Sequence, residues 1–216
     1  MHRKHFFGFI APAAFAFLAV ALAPPSPVAA NSKIPCSAAQ LRTDMRKLWE
    51  DHATWTRVYI ISVGAGLGDK DIAAQRLLQN QVDIGNAIKP FYGDEAGNKL
   101  TALLKEHILG AADLLAAAKA NDQAKVATQK ARWFKNGDDI AVFLSGANPK
   151  NWPAATMKSE MKMHLDLTLQ EALDRFAGKW AEDAKAYDRV HEHILMLADT
   201  LASGIAAQFP EKLKAS

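Results

Sequence analysis

The sequence predicts an all-α protein, an antiparallel up-down bundle of about five to six helices. Three observations predict it. Apolar residues recur at helical period between sparse Gly and Pro punctuation. No stretch shows sustained period-two alternation closed by turn pairs. Alanine is frequent, notably at Ala111-Ala112 and Ala116-Ala117-Ala118, where it favours helix and close packing.

Each element has its own signals. Ser37 is a plausible N-cap for a first helix running to about Val63, and Gly64, Gly66 and Gly68 end it. Asp69 or Asp71 caps a second helix, which Pro90 stops near Phe91-Tyr92-Gly93. Asp94 opens a third helix to about Ala120. Asn121-Asp122 turns the chain into a fourth, ending at Ser145-Gly146. The segment Ala147 to Pro153 reads as a loop, and Pro153 suits the first turn of a fifth helix. Thr168 with Glu171 has the capping-box spacing, so a break is predicted near Asp166. The remainder is helical to about Phe209-Pro210 with a bend near Gly178, and the tail after Pro210 is predicted to be loose. The short connections imply antiparallel neighbours.

The first thirty residues are set apart. Arg3 and Lys4 precede the apolar stretch Phe6 to Ala23, then Pro24, Pro25 and Pro27, then Val28-Ala29-Ala30. That order predicts a secretory signal peptide over residues 1–30, cleaved after Ala30, and a helical domain over 31–216 that is periplasmic or secreted. The formal charge of +3 falls to +1 once Arg3 and Lys4 are removed. No basic block suits nucleic acid or anionic lipid, and after cleavage no segment is apolar enough to span a membrane. Cys36 is the single cysteine. It follows Lys33-Ile34-Pro35 rather than a lipoprotein box, and either stays free or pairs with a second chain, which allows a homodimer.

Polar residues interrupt the apolar stripes. The first helix runs Leu41, Met45, Leu48, His52, Trp55, Tyr59. The third runs Leu100, Leu104, His107, Ala111, Leu114. The fifth carries Met157, Met161, His164 and Thr168. The last runs Trp180, Ala184, Tyr187, His191, Ile194, Ala198, Leu201, Ile205. Four helices thus place a histidine on an inner face. The second helix adds Asn80, with Asp83 one turn on, and the fourth adds Asn136. Asp188 stands at i−3 from His191. His193 and Glu192 fall off that stripe and are read as facing solvent. Trp49, Trp55, Trp133, Trp152 and Trp180 read mostly as core anchors.

Three chemistries fit this pattern. The histidines can be separate core residues, each bonded to a neighbouring amide, carboxylate or carbonyl. They can instead form a metal centre, with His52, His107 and His191 as ligands and His164 and Asp188 in support. Imidazole donors on facing helices suit Zn, Cu or Fe. The third option is a polar ligand pocket using Asn80, Asp83, Asn136 and Arg57, or an acid–base pair such as His52 with Asp83. Arg57 is read as a partner for Asp83 or for an anion. No Glu-x-x-His pairs mark a di-iron site, and no Cys-x-x-Cys-His, phosphate loop, Gly-x-Ser-x-Gly or His-Glu-x-x-His is present.

Two segments, Met45-Arg-Lys-Leu-Trp-Glu-Asp-His52-Ala-Thr-Trp-Thr-Arg57 and Leu77-Leu-Gln-Asn-Gln-Val-Asp-Ile-Gly-Asn-Ala-Ile-Lys-Pro-Phe-Tyr92, resemble a family of small exported bacterial helical proteins. The similarity continues through Asn148 to Trp152, Tyr187 to His191 and Gln208 to Pro210. Some members carry labels such as glycosyltransferase or acetylglutamate kinase. The sequence has no nucleotide-sugar or ATP motif, so the resemblance implies one intact helical domain and transfers no catalytic residue. The expectation is a protein that binds a metal ion or small polar molecule for storage or sensing. The alternatives are a structural or interaction protein of the cell envelope, and an enzyme of unrecognised type.

Overall fold

A computed structural model describes residues 37–213. The predicted signal peptide, its predicted cleavage point and Cys36 lie outside the described residues. Five helices follow one another: α1 (Ala38–Ala65), α2 (Lys70–Lys119), α3 (Gln123–Ala147), α4 (Ala154–Phe176) and α5 (Trp180–Gln208), then a 3-10 turn, Pro210–Leu213. Among the described residues there is no strand, and no helix is long and apolar enough to cross a membrane.

The termini follow local chemistry. Ser37 caps α1, its hydroxyl accepting from the Gln40 amide at 3.1 Å. Gly66 ends α1 in the left-handed conformation, φ 67°, which L side chains avoid, and its N–H closes onto Ser62 and Val63. Asp122 caps α3 through the Lys125 amide at 3.0 Å. Gly93 breaks α2 in the middle, and Pro90, expected to stop the helix, lies within its first arm. Gly93 sits at φ 85°, ψ 169°, and the chain reverses there into two arms, 70–92 and 94–119. The arms pack backbone to backbone, because a Cβ at Gly85 would lie 2.6 Å from the Gly97 carbonyl oxygen. The predicted second and third helices are these two arms.

Six rods therefore alternate in direction, and cross-links give their register. Arg42, Glu50 and Arg57 of α1 meet Asp199, His191 and Asp183 of α5, so these two rods run antiparallel. Leu48 of α1 receives Asn80 of the first α2 arm, and Leu103 of the second arm receives Asn136 of α3. A Cβ at Gly137 of α3 would touch Leu165 of α4. His193 of α5 donates to Glu160 of α4. The ring closes between its first and last helices.

Two expectations are corrected. There is no break near Asp166. The Thr168 hydroxyl bonds the His164 carbonyl one turn back, at 2.8 Å, inside an unbroken α4. Glu171 reaches another helix instead of the Thr168 amide, so the capping-box spacing never operates. The reversal occurs at Gly178, φ 71°. The start of the tail is docked, with Leu213 buried and the Lys212 ammonium on the Pro90 carbonyl at 2.8 Å.

Candidate functional site in the bundle core

Four imidazoles meet in the core. His164 on α4 is the hub. Its ring centroid lies 5.6 Å from that of His52 on α1, 6.0 Å from His107 on α2 and 6.2 Å from His193 on α5. All four rings are buried. Trp49 flanks His52 and Trp133 stacks on His107, walling the group off from water.

Amide side chains orient two of the rings. The Asn136 amide donates to the Leu103 carbonyl at 3.1 Å, which turns its oxygen toward His107. His107 Nδ1–H donates to that oxygen at 3.0 Å. Its Nε2 is therefore left with a lone pair. Gln81 Nε2 donates to His52 Nδ1 at 3.3 Å, and to the Leu77 carbonyl and Asn80 Oδ1 as well. The second nitrogen of His52, Nε2, then carries the proton. Asn80 supports this arrangement from behind by donating to Leu48.

A cavity of about 30 Å³ opens beside the rings. His52, His107 and His164 line it with Thr56, Thr168 and Trp133. That is room for roughly two water-sized guests at about 10–15 Å³ each. Two of the lining residues each hold a buried polar atom without a hydrogen-bond partner, His164 Nδ1 and Thr56 Oγ1. A buried polar atom without a partner costs roughly 1–3 kcal/mol, so this cavity favours a guest that can satisfy it.

Three of the rings, His52, His107 and His164, are held neutral. Burial and the neighbouring His107 push His52 down to about 3, the Gln81 contact opposing weakly. Burial pushes His107 down to about 4. Burial, together with His52, His107 and His193, holds His164 well below the usual histidine range. A neutral imidazole is the form that accepts a metal ion or a hydrogen bond. Among the described residues, however, no group of three or more His, Cys, Asp or Glu side chains is arranged to hold a metal ion.

A charged cluster seals the next turn of the bundle. Arg57 bonds Asp183 on α5 and Glu171 on α4, the latter at 3.0 Å, and Arg175 reaches Asp183 at 3.2 Å. Burial raises Glu171 to about 7, outweighing Arg57. Burial also raises Asp183, but its bonds to Arg57 and Arg175 together outweigh that and hold it below the ordinary carboxylate value.

His52, His107 and His164 come together as the periodicity predicts, and Asn136 and Asn80 join them as orienting groups. Four residues do not. His191 is half-exposed, 3.4 Å from Glu50 at the α1–α5 surface. Asp188 is exposed. Asp83 accepts from Gln79 on its own helix and pairs with neither His52 nor Arg57. Arg57 bonds Glu171 and Asp183 instead. The cause of the His191 error is helical phase. Trp180, the start of the predicted stripe, is 61% exposed. The buried face of α5 runs through Asp183, Ala186, Val190, His193 and Leu197. His193 is thus the fourth buried ring, and the spacing Val190, His193, Leu197, Leu201 was the signal for it. Gln81 and Thr56 had no signal beyond adjacency to Asn80 and a position one turn from His52. Comparison with protein-family models, curated proteins and solved structures finds no match to this chain.

Proposed function

We propose that this is an exported binding protein that holds one small polar guest, a single transition-metal ion, through His52, His107 and His164. One observation carries this reading: three neutral imidazoles line a cavity of about 30 Å³, and two of its lining residues, His164 and Thr56, hold buried polar atoms without partners. The volume is too small for a nucleotide, a sugar or a lipid chain. Metal-ligating histidines keep their second nitrogen bonded to an orienting group, as His107 is to Asn136. Imidazole donors suit Zn, Cu or Fe. The rings at rest do not offer three donors to one point, so binding turns them inward, and the His52 proton moves from Nε2 to Nδ1 as the Gln81 contact breaks.

A second reading has its own observation. The His52 Nε2–H and the His107 Nε2 lone pair already form a complementary donor and acceptor. A neutral hydrogen-bonding guest needs nothing more.

The test uses untagged protein equilibrated with Zn, Cu(II) or Fe(II), then gel-filtered for elemental analysis. The ion reading expects about one ion per chain and loss of binding in His107→Ala and His164→Ala that remain helical. If no ion is retained under any of these conditions, the ion reading ends and the hydrogen-bonding guest remains.

A further inference from the structure

His193 is bonded in an unusual way. Its Nε2–H donates to the Glu160 main-chain carbonyl at 3.1 Å. Its Nδ1 is buried and has no hydrogen-bond partner. The nearest charged group to that nitrogen is the Glu160 carboxylate, with Oε2 at 3.7 Å, beyond hydrogen-bonding reach. Nδ1 and Oε2, the two atoms of this pair able to ligate a cation, thus face each other across a gap. Such a gap is stabilised by positive charge placed within it. Two metal–ligand bonds of about 2.0–2.2 Å span up to about 4.3 Å, so an ion fits between these donors as they stand. One imidazole nitrogen with one carboxylate oxygen selects a borderline transition-metal ion over an alkali cation.

The position of the pair gives it a direction. The Glu160 side chain is 34% exposed, whereas that of His193 is 2% exposed. The His193 ring lies nearly parallel to His164, with 18° between planes. His164 in turn touches both His52 and His107. Glu160, His193 and His164 lie in file between the partly exposed carboxylate and the cavity.

Resting on the ion-binding reading above, we propose that Glu160 and His193 are the loading station at which a divalent transition-metal ion leaves water before reaching the histidine cavity. The carboxylate attracts and partly dehydrates the ion. The imidazole passes it inward to His164. The pair sets the rate of loading and leaves the final occupancy to the core rings.

Co(II) is the probe, because its visible absorption reports nitrogen coordination during loading of the untagged full chain. Glu160→Gln keeps the main-chain bond and removes the charge. It is expected to slow loading at least about tenfold, in the range of electrostatic effects on association rates, with final stoichiometry unchanged. His193→Gln slows loading likewise. Glu192→Gln, an exposed carboxylate on the far side of His193, leaves the rate unchanged. Wild-type loading rates in Glu160→Gln overturn the proposal and leave the core site standing. A fall in final stoichiometry, with the rate unchanged, also overturns it by making Glu160 a resident ligand. A protonated His193 paired with Glu160 and indifferent to Co(II) appears as the first of these outcomes. Wild type that takes up no Co(II) sinks the core site together with its loading station.

Discussion

Two levels of the same core are built on opposite rules. At the level of Met45, Trp49, Ile84, Ile140, Trp152 and Ile205, apolar side chains close around a void of about 10 Å³, with no histidine or threonine in its lining. One level along, His52, His107 and His164 line about 30 Å³, and imidazole and hydroxyl atoms there lack partners, as the Trp49 indole N–H alone does at the first level. The first level leaves a void of at most about one water, with no polar lining to hold it. The second gives up packing to hold polar groups. The histidine level thus links neighbouring helices by hydrogen bonds where the first level links them by packing.

The largest expected effect tests the apolar level. Ile205→Ala, at a fully buried site, should cost about 4 kcal/mol in denaturant unfolding, from lost transfer energy and a cavity. A cost below about 1 kcal/mol would erase the contrast between levels. Next comes the ion cluster behind the histidines. Asp183→Asn leaves Arg57 and Arg175 facing a neutral amide and should cost about 3 kcal/mol at pH 7 by the same measurement. A neutral result would mean solvent screens that cluster.

Acid should separate the levels more sharply. His52 and His107 have folded values of about 3 and 4 against 6.5 when unfolded. Between these values the unfolded chain binds more protons, so stability falls as pH drops below 6.5. By pH 4.5 each ring costs roughly 2.7 kcal/mol, at 1.36 kcal/mol per pH unit. Glu171 runs the other way. Its folded value of about 7 lies above 4.5, so its contribution is full below 4.5 and is lost as pH rises toward 7. It offsets roughly one ring. The net expectation is acid destabilisation, flattened by His52→Leu or His107→Leu and left unchanged by Ile205→Val. A pH-independent wild type between 7 and 4.5 would contradict the buried neutral rings.

Smaller effects sharpen the picture. His164→Leu should change stability at pH 7 by less than about 1.5 kcal/mol in either direction, because it replaces an unpartnered polar atom with apolar volume. A loss matching Ile205→Ala would make the hub structural. Trp180→Ala, at an exposed ring stacked only on Arg175, should stay within about 0.5 kcal/mol by thermal unfolding.

Much of this architecture is legible in the sequence, because caps and breakers act locally. Ser37, Gly66, Asp122 and Gly93 do what their chemistry dictates. The Thr168–Glu171 spacing misleads because both side chains find better partners in the fold than the helix terminus they could have made. Three of the four buried histidines follow from periodicity. The fourth does not, because a rod in a closed ring touches two neighbours and buries a broad arc. Ile194 and Ala198 lie on that arc as the stripe from Trp180 predicts, yet the same arc holds His193 and leaves His191 at its edge. The partners of Arg57 could not be read at all. They lie 114 and 126 residues away, and only the closing of α5 against α1 brings them within reach.

The reversal at Gly93 raises the number of rods from five to six. An even count returns the polypeptide to the side from which it set out, so Ser37 and Gln208 sit at a common pole with the Tyr92 reversal and the loop before α4. A short linker could join those two points and new ends be opened at Gly66–Gly68 without disturbing the wheel of neighbours. The histidine chamber, set toward the opposite pole, is thereby insulated from whatever either end of the chain is attached to.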